Sequence, residues 1–191
     1  VFTRSLFLAA LGTLAAIGHS IVIWDENIQG DLTDDRSNPE PLSLSIGSNV
    51  LIGNTGFSDR DYFRFALAPG QALTSLYLRG YVSEDDISFL AVQEGTFITE
   101  DPLNANVGNL LGWTFFGGPE IGVDLLPLMG SNWGSIGFTP PLTGPDYAWW
   151  LQQTGDETSY VLEFNVVPEP STLLVTAGLA LGLRRRAKRR A

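Results

Sequence analysis

Short runs in which apolar and polar residues alternate one by one dominate this chain, and a period of two is satisfied only by extended strands with one buried face. Leu42, Leu44 and Ile46 alternate with Ser43 and Ser45, and Phe63, Phe65 and Leu67 with Tyr62, Arg64 and Ala66. Leu76 and Leu78 flank Tyr77, and Tyr160, Leu162, Phe164 and Val166 are interleaved with Glu163 and Asn165. Three further runs, ISFLAVQ, LLGWTFFG and YAWWLQQ, are rich in aromatic or β-branched residues. Pro69-Gly70, Gly117-Gly118 and Thr154-Gly155 supply turn signals between many of these runs. Away from the ends, no window of eleven or more residues keeps a helical 3.6 period. Seven to nine short strands in about 145 residues predict an all-β domain, a single antiparallel β-sandwich over 21–166.

The two ends follow different rules. Residues 1–20 place Arg4 ahead of an apolar run from Leu6 to Ile17 and close on the small residues Gly18 and Ser20. That order predicts a secretory signal peptide, helical through its apolar stretch and cut after Ser20. A permanent N-terminal anchor is the alternative, against which stands the shortness of the run relative to roughly 20 residues for a full span. Residues 167–191 carry Pro168-Glu169-Pro170, an apolar run from Leu173 to Leu183, and then Arg184, Arg185, Arg186, Lys188, Arg189 and Arg190. At about 1.5 Å per residue the run covers only some 16–20 Å of a hydrocarbon layer roughly 30 Å thick. It is expected to be a short transmembrane helix whose arginines snorkel. A cationic cluster of this kind stays cytoplasmic, which leaves the preceding domain outside and agrees with the signal peptide.

These C-terminal features, in this order, resemble the PEP-CTERM sorting signal of Gram-negative bacteria. The resemblance implies recognition by exosortase, an integral-membrane transpeptidase, cleavage near the Pro-Glu-Pro, and delivery to the cell surface or an exopolysaccharide matrix. A simple tail-anchored surface protein is the alternative.

The formal charge of −10 is an average over unlike segments, because six of the eleven basic residues occupy the last eight positions. Between 21 and 167 twenty carboxylates face only Arg36, Arg60, Arg64 and Arg79, a net of −16. Such a domain lacks the basic footprint of a nucleic-acid binder. It also has no cysteine, so a core of adequate size or a bound metal must stabilise it after export. The carboxylates fall into clusters: Asp25, Glu26, Asp31, Asp34 and Asp35; Asp59 and Asp61 around Arg60; and Glu84, Asp85 and Asp86. Loops of this composition offer the hard oxygen donors that calcium takes six to eight at a time, although a solvated acidic loop has the same composition.

The stretch from Gly30 to Leu78, with its acidic opening, Pro-Leu strand, Gly-Ser-Asn turn, DRDYFRF and PGQALTSL, is similar to the start of bacterial pre-peptidase C-terminal (PPC-like) domains. The resemblance implies a jelly-roll or PPC-like sandwich stabilised by calcium, with Asp31, Asp34, Asp35, Asp59 and Asp61 meeting at one ion. VQEGTFIT, NLLGWTFFGG and the run from Ser135 to Gly155 also resemble exported PEP-CTERM proteins of cyanobacteria and other environmental bacteria.

Composition removes most catalytic schemes. His19 lies in the expected signal and Lys188 in the tail, so the exported domain has no His, Lys or Cys. Ser-His-Asp and Cys-His nucleophiles, lysine Schiff bases and zinc sites built on His or Cys are therefore excluded there. Carboxylate-pair chemistry survives, with Glu84, Asp85, Asp86 and Glu94 as the available acids for a glycan hydrolase. The neighbouring Trp149 and Trp150 must point to opposite faces of a strand, so one enters the core and the other is free to stack on a sugar unless covered. The expectation is a non-enzymatic surface or matrix protein, associated with exopolysaccharide, with a carboxylate-based hydrolase as the alternative.

Overall fold

In the computed structural model of the chain, residues 20–85 and 87–169 are described. The expected signal helix apart from Ser20, the short transmembrane helix and the arginine-rich tail lie outside them. Among the described residues, no helix is long and apolar enough to cross a membrane.

Among the described residues, nine strands form two sheets: β1 (Ile21–Asp25), β2 (Glu40–Pro41), β3 (Gly47–Thr55), β4 (Arg60–Ala66), β5 (Gln71–Val82), β6 (Ser88–Glu94), β7 (Gly112–Phe116), β8 (Asp146–Gln152) and β9 (Thr158–Pro168). One sheet runs β1-β3-β9-β5 and the other β2-β4-β8-β6-β7. Helix among the described residues is confined to α1 (Glu26–Gln29), α2 (Leu125–Ser131) and two 3-10 turns.

The sheets are mixed, which corrects the expected purely antiparallel arrangement: β1 pairs with β3, and β2 with β4, in parallel. Parallel neighbours need a crossover of a dozen or more residues. The chain has that length here, because it leaves β1 at Asp25 and visits the other sheet at β2 before entering β3 at Gly47.

Alternation built the core where it was predicted. Phe63 and Phe65 of β4, Trp149 of β8 and Leu162, Phe164 and Val166 of β9 are all buried in one cluster fed by both sheets. Phe164 crosses to the opposite sheet, meeting Phe63, Phe65 and Trp149 edge-on at centroid distances of 6.0, 5.4 and 5.5 Å. Edge-to-face pairs add about 0.5–1.5 kcal/mol each beyond their buried area. The two sheets thus face one another in a sandwich-like pair.

A second, smaller core lies on the outer face of the five-stranded sheet, where Tyr62, Ala91, Ala148 and Trp150 are covered by Ile98 and Leu110 from the β6–β7 connection. Arg36 holds that connection down: its Nη1 donates to Ile98 O at 3.1 Å and its carbonyl accepts from Ile98 N at 2.9 Å. Trp149 and Trp150 do point to opposite faces, yet they are 0% and 1% exposed. Neither indole is available to a sugar, which corrects the ligand role considered for this pair. Trp133, after α2, is 88% exposed instead.

Burial of the Tyr62 phenol pushes its pKa up to about 12 from 10.0, and its hydroxyl has no hydrogen-bond partner. A folded-state pKa above the unfolded value means a contribution fully present below pH 10.0 and lost as pH rises through about 12. Tyr62→Phe is therefore expected to move the alkaline unfolding midpoint to higher pH while changing stability little at pH 7. Circular dichroism across an alkaline titration checks this, and an unchanged or lower midpoint would contradict it.

Candidate metal centre

Asp25, the last residue of β1, caps the one-turn helix α1 by accepting from Asn27 N at 3.0 Å. Gly30 then releases the chain with φ +97°, a conformation that favours glycine. Glu26 turns back across this loop. Its Oε1 accepts from Leu32 N at 3.0 Å and its Oε2 from Asn54 N on β3 at 2.6 Å, so one carboxylate ties the helix to the loop and to the sheet. Leu32 is buried at 2% exposure and Thr33 O accepts from Tyr62 N at 3.0 Å, which holds the Asp31 segment beside β4.

From the other side, Asp61 occupies the same face of β4 as Phe63 and Phe65 and therefore points between the sheets. The Tyr160 hydroxyl of β9 donates to Asp61 Oδ2 at 2.7 Å, while Oδ1 is buried with no hydrogen-bond partner. Asp61 is 0% exposed. One carboxylate oxygen each from Glu26, Asp31 and Asp61 lies within 4.8 Å of the others. Asp59 stands at the margin, and its Oδ1 is likewise buried and unpartnered.

The charges have no basic counterpart. The single ion pair among the described residues joins Arg79 to Glu163, and Arg60 directs its Nε to Gln152 instead. Burial raises the Asp61 carboxyl well above the usual range, and the Glu26 charge raises it further. Asp59 is pushed up to about 6, first by burial and then by the charges of Asp31, Asp34 and Glu26. Burial also raises Glu26 and Asp31. This is a site where negative charge is concentrated without local compensation, and oxygen is the only donor it offers.

Of the five residues expected at one ion, the structure brings Asp31 and Asp61 together and leaves Asp59 beside them. Asp34 is engaged elsewhere, accepting from Arg60 N at 2.7 Å. Asp35 is turned into its own loop, where Ser37 N and Oγ donate to it at 2.9 and 2.6 Å and hold its carboxyl below the usual range. Glu26 takes their place. In the sequence it stood as one acid in a run, and a four-residue helix has no periodicity to mark it as a fixed platform.

Of the acids considered for catalysis, Glu84 and Glu94 do not converge as a pair. Glu84 lines an open cleft of about 910 Å³ between the β3–β4 and β8–β9 turns, together with Phe57, Asp59, Asp156 and Glu157. Asp85 accepts from Ile87 N at 3.1 Å, and Asp86 lies outside the described residues. Glu94 ends β6 while Glu84 precedes it. At about 3.3 Å per residue the strand separates them by roughly 20 Å, against about 5–9.5 Å for a hydrolase pair.

At the other end of the domain, Pro168 closes β9 opposite Gln71, and Glu169 N donates to Gly70 O at 2.8 Å. Strand pairing thus continues to Pro168, two residues past the boundary expected at 166. Pro170, Arg184, Arg185, Arg186, Lys188, Arg189 and Arg190 lie outside the described residues. Comparisons with protein-family models, curated proteins and solved structures found no match to this chain.

Proposed function

We propose that this chain is a non-enzymatic exported protein, carried across the inner membrane by its N-terminal signal and sorted by exosortase to the cell surface or exopolysaccharide matrix. The observation that carries the reading is the sequence Pro168-Glu169-Pro170, apolar run and arginine cluster, which begins where β9 ends. The proposed signal would then adjoin the folded domain, since Glu169, within the motif, still donates a backbone bond to Gly70 O. A transpeptidase acting next to this point would release a complete sandwich and discard the basic tail.

The two facing sheets support a PPC-like β-sandwich as the exported unit, in a variant whose outer strand pairs are parallel. Its net of −16 between 21 and 167 suits a soluble, well-spaced matrix component that meets anionic polymer through bridging cations. The role is structural or matrix-associated.

Mass spectrometry of protein recovered from the native cell surface is expected to find termini near Ile21 and between Val167 and Ser171. A surface form that still carries the RRRAKRR tail would overturn the sorting route and leave a tail-anchored protein.

A further inference from the structure

We propose that Trp133 and the uncharged segments around it form a binding face for a neutral polysaccharide. The inference rests on the matrix role proposed above and names the surface that would serve it, in place of Trp149 and Trp150.

The first observation is where charge is missing. Residues 21–167 carry twenty carboxylates and four arginines, yet 102–119 and 125–145 contain no Asp, Glu, Lys or Arg. Between these segments stand Glu120 and Asp124, and both are turned onto backbone. Glu120 Oε2 accepts from Gly117 N at 2.8 Å, and Asp124 Oδ1 from Leu76 N and Leu126 N at 2.9 and 3.1 Å. The two uncharged segments also meet. Ile136 N and Gly137 N donate to Leu110 O and Leu111 O at 3.0 and 2.9 Å, and a Cβ on Gly134 would lie 3.4 Å from Val107 Cγ2. A strongly anionic domain thus keeps one neutral patch.

The second observation is what that patch presents. Trp133 is 88% exposed and Ile136 is 67% exposed, so packing makes little use of either side chain. The backbone that carries the indole is nevertheless held: Trp133 N donates to Asn132 Oδ1 at 2.8 Å, Ser135 Oγ to Asn132 O at 2.9 Å and Phe138 N to Gly130 O at 3.0 Å. Asn106 and Asn109, both exposed, stand on either side of Val107 and Gly108, against which the Gly134 turn rests. Glu100 fixes them in turn, accepting from Asn106 N and Asn109 Nδ2 at 2.8 Å each. An aromatic face and neutral amides on a braced backbone lose little freedom when they bind.

Charge then selects the occupant. A sugar ring offers apolar C–H faces and a rim of hydroxyls that donate and accept, which an indole and carboxamides match without any charge. An anionic polymer would meet a net of −16 with no Lys or Arg in the patch to receive it. The same applies to an anionic bilayer, since a peripheral anchor sets Lys or Arg beside its apolar side chains. Unlike the acidic remainder of the domain, this patch needs no bridging cation.

The test is affinity electrophoresis of the full chain, in mild detergent and excess chelator, through native gels cast with dextran, hydroxyethyl cellulose, galactomannan or alginate. The wild type is expected to be retarded by at least one of the neutral polymers and not by alginate. Its dissociation constant should weaken about tenfold or more in Trp133→Ala and stay within about threefold in Trp133→Tyr. Both variants should fold, because the side chain is exposed. Bound polymer should also shield tryptophan fluorescence from acrylamide in the wild type and not in Trp133→Ala. No retardation by any neutral polymer, or retardation that Trp133→Ala leaves unchanged, overturns the site. Retardation by alginate, or binding to phosphatidylglycerol vesicles, that is lost in Trp133→Ala overturns the choice of ligand. Each of these results leaves the sorting route standing, since the termini of the surface form decide that; a retained RRRAKRR tail would in turn leave the binding intact.

Discussion

Trp149→Ala is expected to cost about 3–5 kcal/mol and to lower Tm by roughly 10–15 °C. The indole is 0% exposed and meets Phe63, Phe65 and Phe164, with ring centroids at 6.1, 5.4 and 5.5 Å, so three elements in two sheets share its surface. Removing it opens a cavity that β4 and β9 cannot close without moving a sheet. Trp133→Ala is the matched control: that indole is 88% exposed, and its loss should change stability by no more than about 0.5 kcal/mol. Chemical denaturation of the two variants beside the wild type separates them, and comparable losses would contradict the assignment of Trp149 to the shared core.

Gly53→Ala is the second large effect, expected at about 3 kcal/mol. A Cβ built on Gly53 would lie 2.3 Å from the Tyr160 hydroxyl and 2.5 Å from Cζ. The ring must shift, and its hydroxyl is the donor that serves Asp61. The substitution therefore combines crowding with the exposure of a second unpartnered oxygen on a buried carboxylate. In Tyr160→Phe the same bond is lost without crowding. The double variant should cost about 1 kcal/mol less than the sum of the singles, because the displaced hydroxyl is then already absent. Strict additivity in denaturant midpoints would show that the two residues do not compete for the same space.

This contact also explains why β3 escaped the sequence pattern. Its inward positions are Asn49, Leu51, Gly53 and Thr55, a polar, small and only once aliphatic face that reads as turn composition. The pattern instead placed a strand over Leu42, Leu44 and Ile46, where Leu42 alone makes a ladder-like bond to Arg64 O and Ile46 is 55% exposed. Alternation reports a strand only when its buried face is apolar. Gly53 is buried because an aromatic ring needs the room, and Asn49 because its amide donates to three backbone carbonyls, those of Ser45, Gly47 and Phe164.

Where the inward face is aromatic, at Phe63, Phe65, Trp149 and Phe164, the strands were legible, and so was the opposed orientation of the two tryptophans. Whether the outward indole would be covered was not, since its cover is an irregular connection pinned by Arg36 from 62 residues away. The acidic centre was half legible for a similar reason. Composition marked the loops, but local caps decide which carboxylates leave them: Asp35 is spent on Ser37, while Glu26 is freed to face Asp61 by a helix of one turn.

The last strand of the domain is an inner one. β9 lies between β3 and β5 and supplies the pairing that joins them into one sheet. Until residues 158–168 are added, the β1–β3 pair and β5 have no pairing that unites them in one sheet. Closure of that sheet, and of the core it shares with the other, therefore waits on its final strand. If the chain is exported and sorted as proposed, the Pro168-Glu169-Pro170 motif would come within reach just as that final strand pairs.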